Sequence, residues 1–182
     1  MQIACEKNDA SLAAIVKINR TVIEDAIQDH NIWIANENAE GNVSIGGLKN
    51  NLSSIKPILE KIGGRYLPLK VAGAFHTPLM QEALVKIQET FNQKIVSESH
   101  IKLISNISGD ILKKDEIISE LINQVVSPVE WLKTMKTMNN ARIQQIFEFG
   151  PGKVLTNLCR RTLKDVDIVN IETIEDISHL EI

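Results

Sequence analysis

The 182 residues carry a net charge of −3, with 43% hydrophobic and 24% charged residues, the proportions of an ordinary globular protein. This balance argues against a nucleic-acid-binding function, because such proteins usually present a basic face. Strand-length apolar runs and the lack of a basic-then-apolar N-terminus predict neither a transmembrane helix nor a signal peptide. Cys5 and Cys159 lie far apart, which fits free thiols in a reducing cytosol and predicts no metal site.

The first third of the chain alternates strands and helices. Hydrophobic periodicity and turn residues predict the order strand-helix-strand-strand-helix-strand at residues 12–18, 20–28, 32–36, 42–45, 48–62 and 66–71. This order is typical of a ferredoxin-like subdomain, which we place at residues 9–72.

The rest of the chain, residues 73–182, again alternates helices with strands, which indicates a sheet that is at least partly parallel. Helices are predicted at 78–93, 115–126, 153–163 and 173–180, and strands at 101–105, 143–149 and 167–171. Ser127-Pro128-Val129-Glu130 predicts the start of one more helix, because it combines an N-cap serine, a proline at the first helical position and a capping-box glutamate.

His76 is the strongest candidate for a catalytic residue. It lies between a predicted strand and a predicted helix, where Thr77 is a suitable N-cap and Pro78 a suitable first helical residue. A histidine there can take a proton from a nucleophile and return it to a leaving group near neutral pH. A structural histidine bonded to a nearby carbonyl is the alternative. The other three histidines, His30, His100 and His179, lie in polar stretches and are predicted to be at the surface.

Three further features have competing interpretations. Gly150-Pro151-Gly152 follows a predicted strand and precedes a helix, so it is either a ligand crevice or, as we favour, a tight turn. Gln124 is either an exposed polar residue or a group that orients His76 through its side chain or its carbonyl. Ser44 lies inside a predicted strand and not on a nucleophile elbow, so we do not expect it to be catalytic.

Three segments in order resemble one family. They are residues 71–80 with their histidine, the run from Asn123 to Trp131, and the run from Phe147 to Leu155 with its glycine turn. Together they are similar to the malonyl-CoA:acyl-carrier-protein acyltransferases of fatty-acid synthesis and the acyltransferase domains of polyketide synthases. The resemblance covers essentially the whole chain.

The resemblance implies a fold and a set of roles. Residues 73–182 would be the C-terminal part of a large α/β-hydrolase-like subdomain with a parallel sheet. His76 would be the catalytic base, Gln124 its support, and Phe75 and Asn106 part of the substrate pocket. Phe75 would crowd an α-methyl branch and so favour malonyl groups. The family uses no metal or other cofactor, and malonyl-CoA and a phosphopantetheinyl acyl carrier protein are its substrates.

The family's nucleophile elbow, Gly-His-Ser-x-Gly, has no counterpart in this sequence, nor do its oxyanion glutamine and its malonyl-binding arginine. We therefore expect a C-terminal portion that is inactive alone and is completed by sequence, or a separate chain, that carries the elbow. Two alternatives remain open. One is a non-catalytic module that binds a carrier protein or another partner, and the other is a thioester hydrolase on the same scaffold.

Overall fold

The computed structural model describes residues 1–91, 96–97 and 99–178. The chain divides into two compact units, Met1–Thr134 and Met135–Ile182. The predicted boundary between residues 72 and 73 falls inside the first unit and stays a prediction. The ends of two predicted helices, at 92–93 and 179–180, lie outside the described residues, as does His179. No helix in the described ranges is long and apolar enough to cross a membrane.

The first unit contains the predicted alternation of strands and helices. One short helix that the sequence analysis does not predict comes before it. Its strands pair antiparallel in the order β2-β3-β1-β4. The elements in chain order are α1 (Gln2–Lys7), β1 (Ala10–Val16), α2 (Arg20–Ile27), β2 (Ile32–Ala39), β3 (Asn42–Leu48), α3 (Lys49–Lys61) and β4 (Arg65–Pro68).

Each of the four strands differs from its predicted limits, by up to three residues at one end. The turn between β2 and β3 is shorter than expected and consists of Glu40 and Gly41, whose φ of +63° is readily adopted by glycine. β4 ends at Pro68, earlier than the predicted residue 71, and beyond it the Leu69 N–H still donates to the Leu12 carbonyl of β1 at 3.0 Å.

One face of the four-stranded sheet packs against α2 and α3. Successive side chains of a strand point to opposite faces, so the odd-numbered residues of β1 and β3 share this side. The helices contribute apolar residues three or four positions apart, which lie on one stripe of each helix. The buried cluster comprises Ala13, Ile15, Ile23, Ile27, Ile32, Ile34, Val43, Ile45, Leu52, Ile55 and Leu59.

The opposite face of the sheet packs against the segment that carries His76. Leu12 and Ala35 form a buried cluster with Ala74 on this side. A Cβ built at Gly46 on β3 would lie 2.7 Å from the Thr77 Cγ2 atom and 2.7 Å from the Leu12 side chain. The lack of a side chain at Gly46 therefore allows residues 74–77 to lie directly against the sheet.

The rest of the first unit is helical and irregular. A 3₁₀ turn at Pro78–Met80 leads into α4 (Gln81–Phe91), and a second at Lys114–Glu116 leads into α5 (Ile117–Asn123). The strand predicted at 101–105 is wrong: Ile104 makes only an isolated bridge with Ile111. Its pairing is confined to this point, where the Ser105 N–H donates to the Asp110 carbonyl and the Leu112 N–H to the Leu103 carbonyl, both at 2.8 Å.

The helix predicted to follow Ser127 is present, but its predicted start is wrong: α6 (Trp131–Asn140) begins three residues after Pro128, the predicted first helical residue. The residues before it are extended beside the edge of β2. The Val129 N–H donates to the Ala35 carbonyl at 2.9 Å, and the Glu37 N–H donates to the Val129 carbonyl at 2.8 Å. Pairing with the sheet thus outweighs the local capping chemistry.

The second unit contains β5 (Gln145–Phe149), α7 (Val154–Thr162), β6 (Asp167–Ile171) and α8 (Ile174–Ser178). β5 and β6 pair in parallel, with Gln145 opposite Asp167. The predicted strand at 167–171 and the partly parallel sheet are confirmed. The chain as a whole has an α/β fold.

Candidate active site

His76 has a backbone conformation that few residues other than glycine adopt. Its φ is +62°, in the left-handed region, and its N–H donates to the Val125 carbonyl at 3.2 Å. Thr77 is buried and takes the N-cap position, but its hydroxyl donates to the Ala74 carbonyl at 2.6 Å and does not cap the helix. Pro78 is the first residue of the 3₁₀ turn, as predicted. A turn, and not a strand end, therefore presents the imidazole.

The half-buried ring of His76 contacts a backbone carbonyl. Its Nδ1 atom lies 2.7 Å from the backbone carbonyl oxygen of Gln124. A carbonyl oxygen can only accept, so this hydrogen bond requires the proton on Nδ1. The Nε2 atom is then the ring nitrogen with a free lone pair, which is the form that a general base needs.

The side chain of Gln124 faces a different partner. Its Oε1 atom accepts a hydrogen bond from the Asn106 Nδ2 atom at 2.9 Å. The Asn106 carbonyl in turn accepts from the Glu130 N–H at 2.7 Å. Of the two orienting routes left open by the sequence, the backbone carbonyl of Gln124 is thus the one that contacts His76.

Phe75 is half-buried and lies beside His76 in the chain. Its ring packs against an apolar cluster of Ala4, Met80, Ala83 and Val125. Three of the four predicted site residues, His76, Gln124 and Asn106, are joined by hydrogen bonds, and Phe75 contributes an apolar surface next to them.

A charged cluster that the sequence does not reveal lies around Glu130, six residues after Gln124 and directly before α6. Arg20 on α2 contacts both oxygens of Glu130, at 2.8 and 2.9 Å, and also Glu37 at 2.9 Å and Glu24 at 2.7 Å. The Glu130 side chain is only 6% exposed, and Lys133 lies 3.2 Å from it. No local signal could have revealed it, because Arg20 and Glu130 are 110 positions apart.

Interactions within this cluster shift the pKa values of Glu130 and Arg20 in the directions that favour the ion pair. Burial alone would raise the pKa of Glu130, but the hydrogen bonds and charges of Arg20 and Lys133 bring it below its ordinary value. Burial alone would lower the pKa of Arg20, whereas its bonds to Glu130, Glu24 and Glu37 raise it. Both groups are therefore charged near neutral pH.

Comparison with known proteins identifies the relatives of this chain. Over 98% of its length it is 29% identical to the malonyl CoA-acyl carrier protein transacylase of Synechocystis sp., of which it covers 61%. It is also 29% identical to that of Bacillus subtilis, over 96% of the chain and 58% of the relative. The crystal structure of MCAT from Streptococcus pneumoniae matches with a TM-score of 0.91 and 28% identity, over 98% of this chain and 60% of that one. No family model matches the chain.

In sequence and in fold the chain is similar to the malonyl CoA-acyl carrier protein transacylases. The resemblance inferred from its three segments is thereby confirmed. The chain spans about three fifths of the length of the curated relatives it matches.

The structure also shows the surroundings of the other residues that the sequence singled out. Ser44 lies within β3, is 4% exposed and accepts a hydrogen bond from Asn38, as expected of a residue that is not a nucleophile. Cys5 and Cys159 are both free thiols, as predicted. His100 is exposed as predicted, but His30 is half-buried, and its N–H donates to the Ile27 carbonyl at 3.0 Å.

The N-terminus of α7, which follows the glycine turn Gly150-Pro151-Gly152, already binds a carboxylate of the same chain. The Glu148 carboxylate accepts hydrogen bonds from the Leu155 N–H at 3.0 Å and the Thr156 N–H at 2.8 Å. Burial alone would raise the pKa of Glu148, but the bonds from Thr156 and Leu155 lower it below its ordinary value. An incoming phosphate would have to displace this carboxylate, which supports the interpretation as a tight turn.

Proposed function

We propose that this chain supplies the general base of a malonyl-CoA:acyl-carrier-protein transacylase whose nucleophilic serine comes from outside these 182 residues. The observation that carries the proposal is the 2.7 Å contact between His76 Nδ1 and the Gln124 carbonyl. It leaves Nε2 as the acceptor, in a homologue of enzymes named for this transfer. The sequence itself contains no Gly-x-Ser-x-Gly motif.

In the proposed reaction His76 Nε2 takes the serine proton as the serine oxygen attacks the malonyl thioester carbonyl. The tetrahedral intermediate collapses, the carbon–sulfur bond breaks, and the imidazolium returns the proton to the departing coenzyme A thiolate. The phosphopantetheine thiol of the carrier protein then attacks the acyl-serine, again with Nε2 taking the proton. The serine oxygen leaves and recovers that proton, so the histidine is unchanged overall.

The other parts of the chain take roles that follow from this scheme. Phe75 forms part of the acyl pocket, where crowding of an α-methyl branch favours malonyl over methylmalonyl groups. The antiparallel order β2-β3-β1-β4 supports a ferredoxin-like small subdomain. The parallel pair β5 and β6 supports a contribution to a larger α/β-hydrolase-like sheet. The scheme uses malonyl-CoA and the carrier protein as substrates, without a metal or other cofactor.

Complementation tests this function. The purified chain is mixed or co-expressed with the part of the Bacillus subtilis relative that the chain does not match, and malonyl transfer to holo carrier protein is followed by mass spectrometry. We expect transfer only when both pieces are present, and none with His76→Ala.

The alternatives give different outcomes. Transfer by the 182-residue chain alone, or undiminished transfer with His76→Ala, would contradict the proposal. Carrier binding without turnover in the mixture would indicate a non-catalytic module. Release of free malonate faster than transfer would indicate a thioester hydrolase.

A further inference from the structure

The loop between α5 and α6, residues 124–130, holds His76 at two points and is here called the strap. Its first two carbonyls accept both hydrogen bonds that fix the histidine: Gln124 from the ring Nδ1, and Val125 from the backbone N–H. The direction of the ring therefore depends on the orientation of the first two peptide groups of the strap.

Asn106 contacts both ends of the strap. Its side-chain amide donates to the Gln124 side chain at 2.9 Å, and its carbonyl accepts from the Glu130 N–H at 2.7 Å. Gln124 is the C-terminal cap of α5, a helix of seven residues, and peptide groups at helix ends lack the full set of intrahelical bonds. A tether on the Gln124 side chain thus restrains the residue whose carbonyl holds the imidazole.

We propose that Asn106 is a positioning residue, which acts on His76 through Gln124 and the strap and not by contact with the acyl group. Its catalytic consequence rests on the proposed function, whereas its effect on the ring is a property of this chain alone. Asn106 favours the Nδ1–H tautomer by keeping the Gln124 carbonyl on the Nδ1 side of the ring.

Histidine NMR of the 182-residue chain tests the tautomer directly, with no serine or substrate present. The ring nitrogens are labelled with ¹⁵N, and the His76 signal is assigned by its loss in His76→Gln. We expect the wild type to be the Nδ1–H tautomer. Asn106→Ala should raise the ratio of Nε2–H to Nδ1–H, and the solvent exchange of the Nδ1 proton, by about two- to fivefold, the effect of one modest hydrogen bond.

A double-mutant cycle separates the tether from general loosening. Gln124→Ala keeps its backbone carbonyl but loses the tether, so it should match Asn106→Ala, and the double variant should be no worse than either. Asn106→Asp should recover the wild-type ratio, because the Gln124 amide can turn over and donate to the carboxylate. Asn123→Ala is the matched control, an exposed amide one residue away that should change nothing.

Each outcome decides the proposal. An unchanged tautomer ratio in folded Asn106→Ala, or single effects that multiply in the double variant, would overturn it. If Asn106→Ala does not fold, Gln124→Ala and Asn106→Asp provide the same comparison. In the complemented transferase a positioning role lowers kcat with KM for malonyl-CoA unchanged, whereas a pocket role raises KM. Failure of complementation would leave the NMR result standing.

Discussion

The ion pair between Arg20 and Glu130 should contribute to stability asymmetrically. Arg20→Gln leaves the Glu130 carboxylate, 6% exposed, with Lys133 alone, whose own side chain is 54% exposed. Breaking a buried pair costs about 3–5 kcal/mol, and because Lys133 remains we expect about 2–4 kcal/mol here. Glu130→Gln removes the buried charge and keeps an amide oxygen that can accept from Arg20, so it should cost only about 1–2 kcal/mol.

Urea unfolding followed by tryptophan fluorescence measures the free energy of unfolding of the first unit, which contains Arg20 and Glu130. Both tryptophans, Trp33 and Trp131, lie in that unit. With a denaturant dependence of about 2 kcal/mol per molar, Arg20→Gln should lower the midpoint by about 1–2 M. Lys7→Gln is the control, since Lys7 pairs with Glu82 at an exposed position. It should change the free energy of unfolding by less than about 0.5 kcal/mol.

The loss of stability in Arg20→Gln should also depend on pH. The folded-state pKa of Glu130 lies below its ordinary value, so the ion pair stabilises the protein above the unfolded-state pKa and ceases to do so as pH falls through the folded-state pKa. The difference between wild type and Arg20→Gln should therefore shrink as pH falls below the ordinary pKa of a glutamate, about 4.3, and on through the lowered folded-state pKa of Glu130. A constant difference, or a larger loss for Glu130→Gln, would refute the reasoning.

Three smaller perturbations test the packing and backbone arguments. Gly46→Ala should lower the free energy of unfolding by about 1–3 kcal/mol in the same urea assay and displace the His76 NMR signals, because its Cβ would overlap two side chains. His76→Gly should be within about 0.5 kcal/mol of wild type, since relief of the positive φ offsets the lost hydrogen bond, whereas His76→Ala should lose about 1–2 kcal/mol. Glu148→Gln should speed hydrogen exchange of the first amides of α7 near neutral pH, an effect that disappears as pH falls through the lowered pKa of the carboxyl.

The elements that sequence reasoning places correctly are those whose evidence is local. The alternation in β1 and β3 and the three-four spacing in α3 each place apolar residues on one face, and those faces are the ones buried in the first unit. The strand Asp167–Ile171 has its predicted limits, because polar residues flank its apolar core and its partner β5 is present.

The failures occur where a distant partner outweighs local preference. Ser127 to Glu130 has the composition of a helix start, yet Glu130 binds Arg20 and Val129 pairs with β2. The partners of this segment cannot be inferred from the residues next to it. The run at 101–105 has the composition of a strand, but in the described part of the chain its pairing with residues 110–112 is confined to one bridge and does not extend into a ladder.

The candidate site was predicted in its residues but not in its geometry. His76 could be selected from the chemistry of its neighbours, whereas the choice between the side chain and the carbonyl of Gln124 depends on backbone orientation. The same sequence is compatible with either orientation of the Gln124 peptide group. Only the fold determines that the carbonyl faces the ring while the side chain faces Asn106.

The strap explains why a strained histidine can persist at this position. A left-handed conformation costs a residue other than glycine about 1–2 kcal/mol, and each hydrogen bond to the strap returns about 1 kcal/mol. With both bonds to carbonyls 124 and 125 the conformation is close to balance, and with one of them lost it is unfavourable. The strap is itself held by β2 of the four-stranded sheet and by Arg20 of α2, a helix that packs against that sheet. The sheet therefore helps to hold the loop whose first two carbonyls bind His76, although its own contacts are at the other end of that loop.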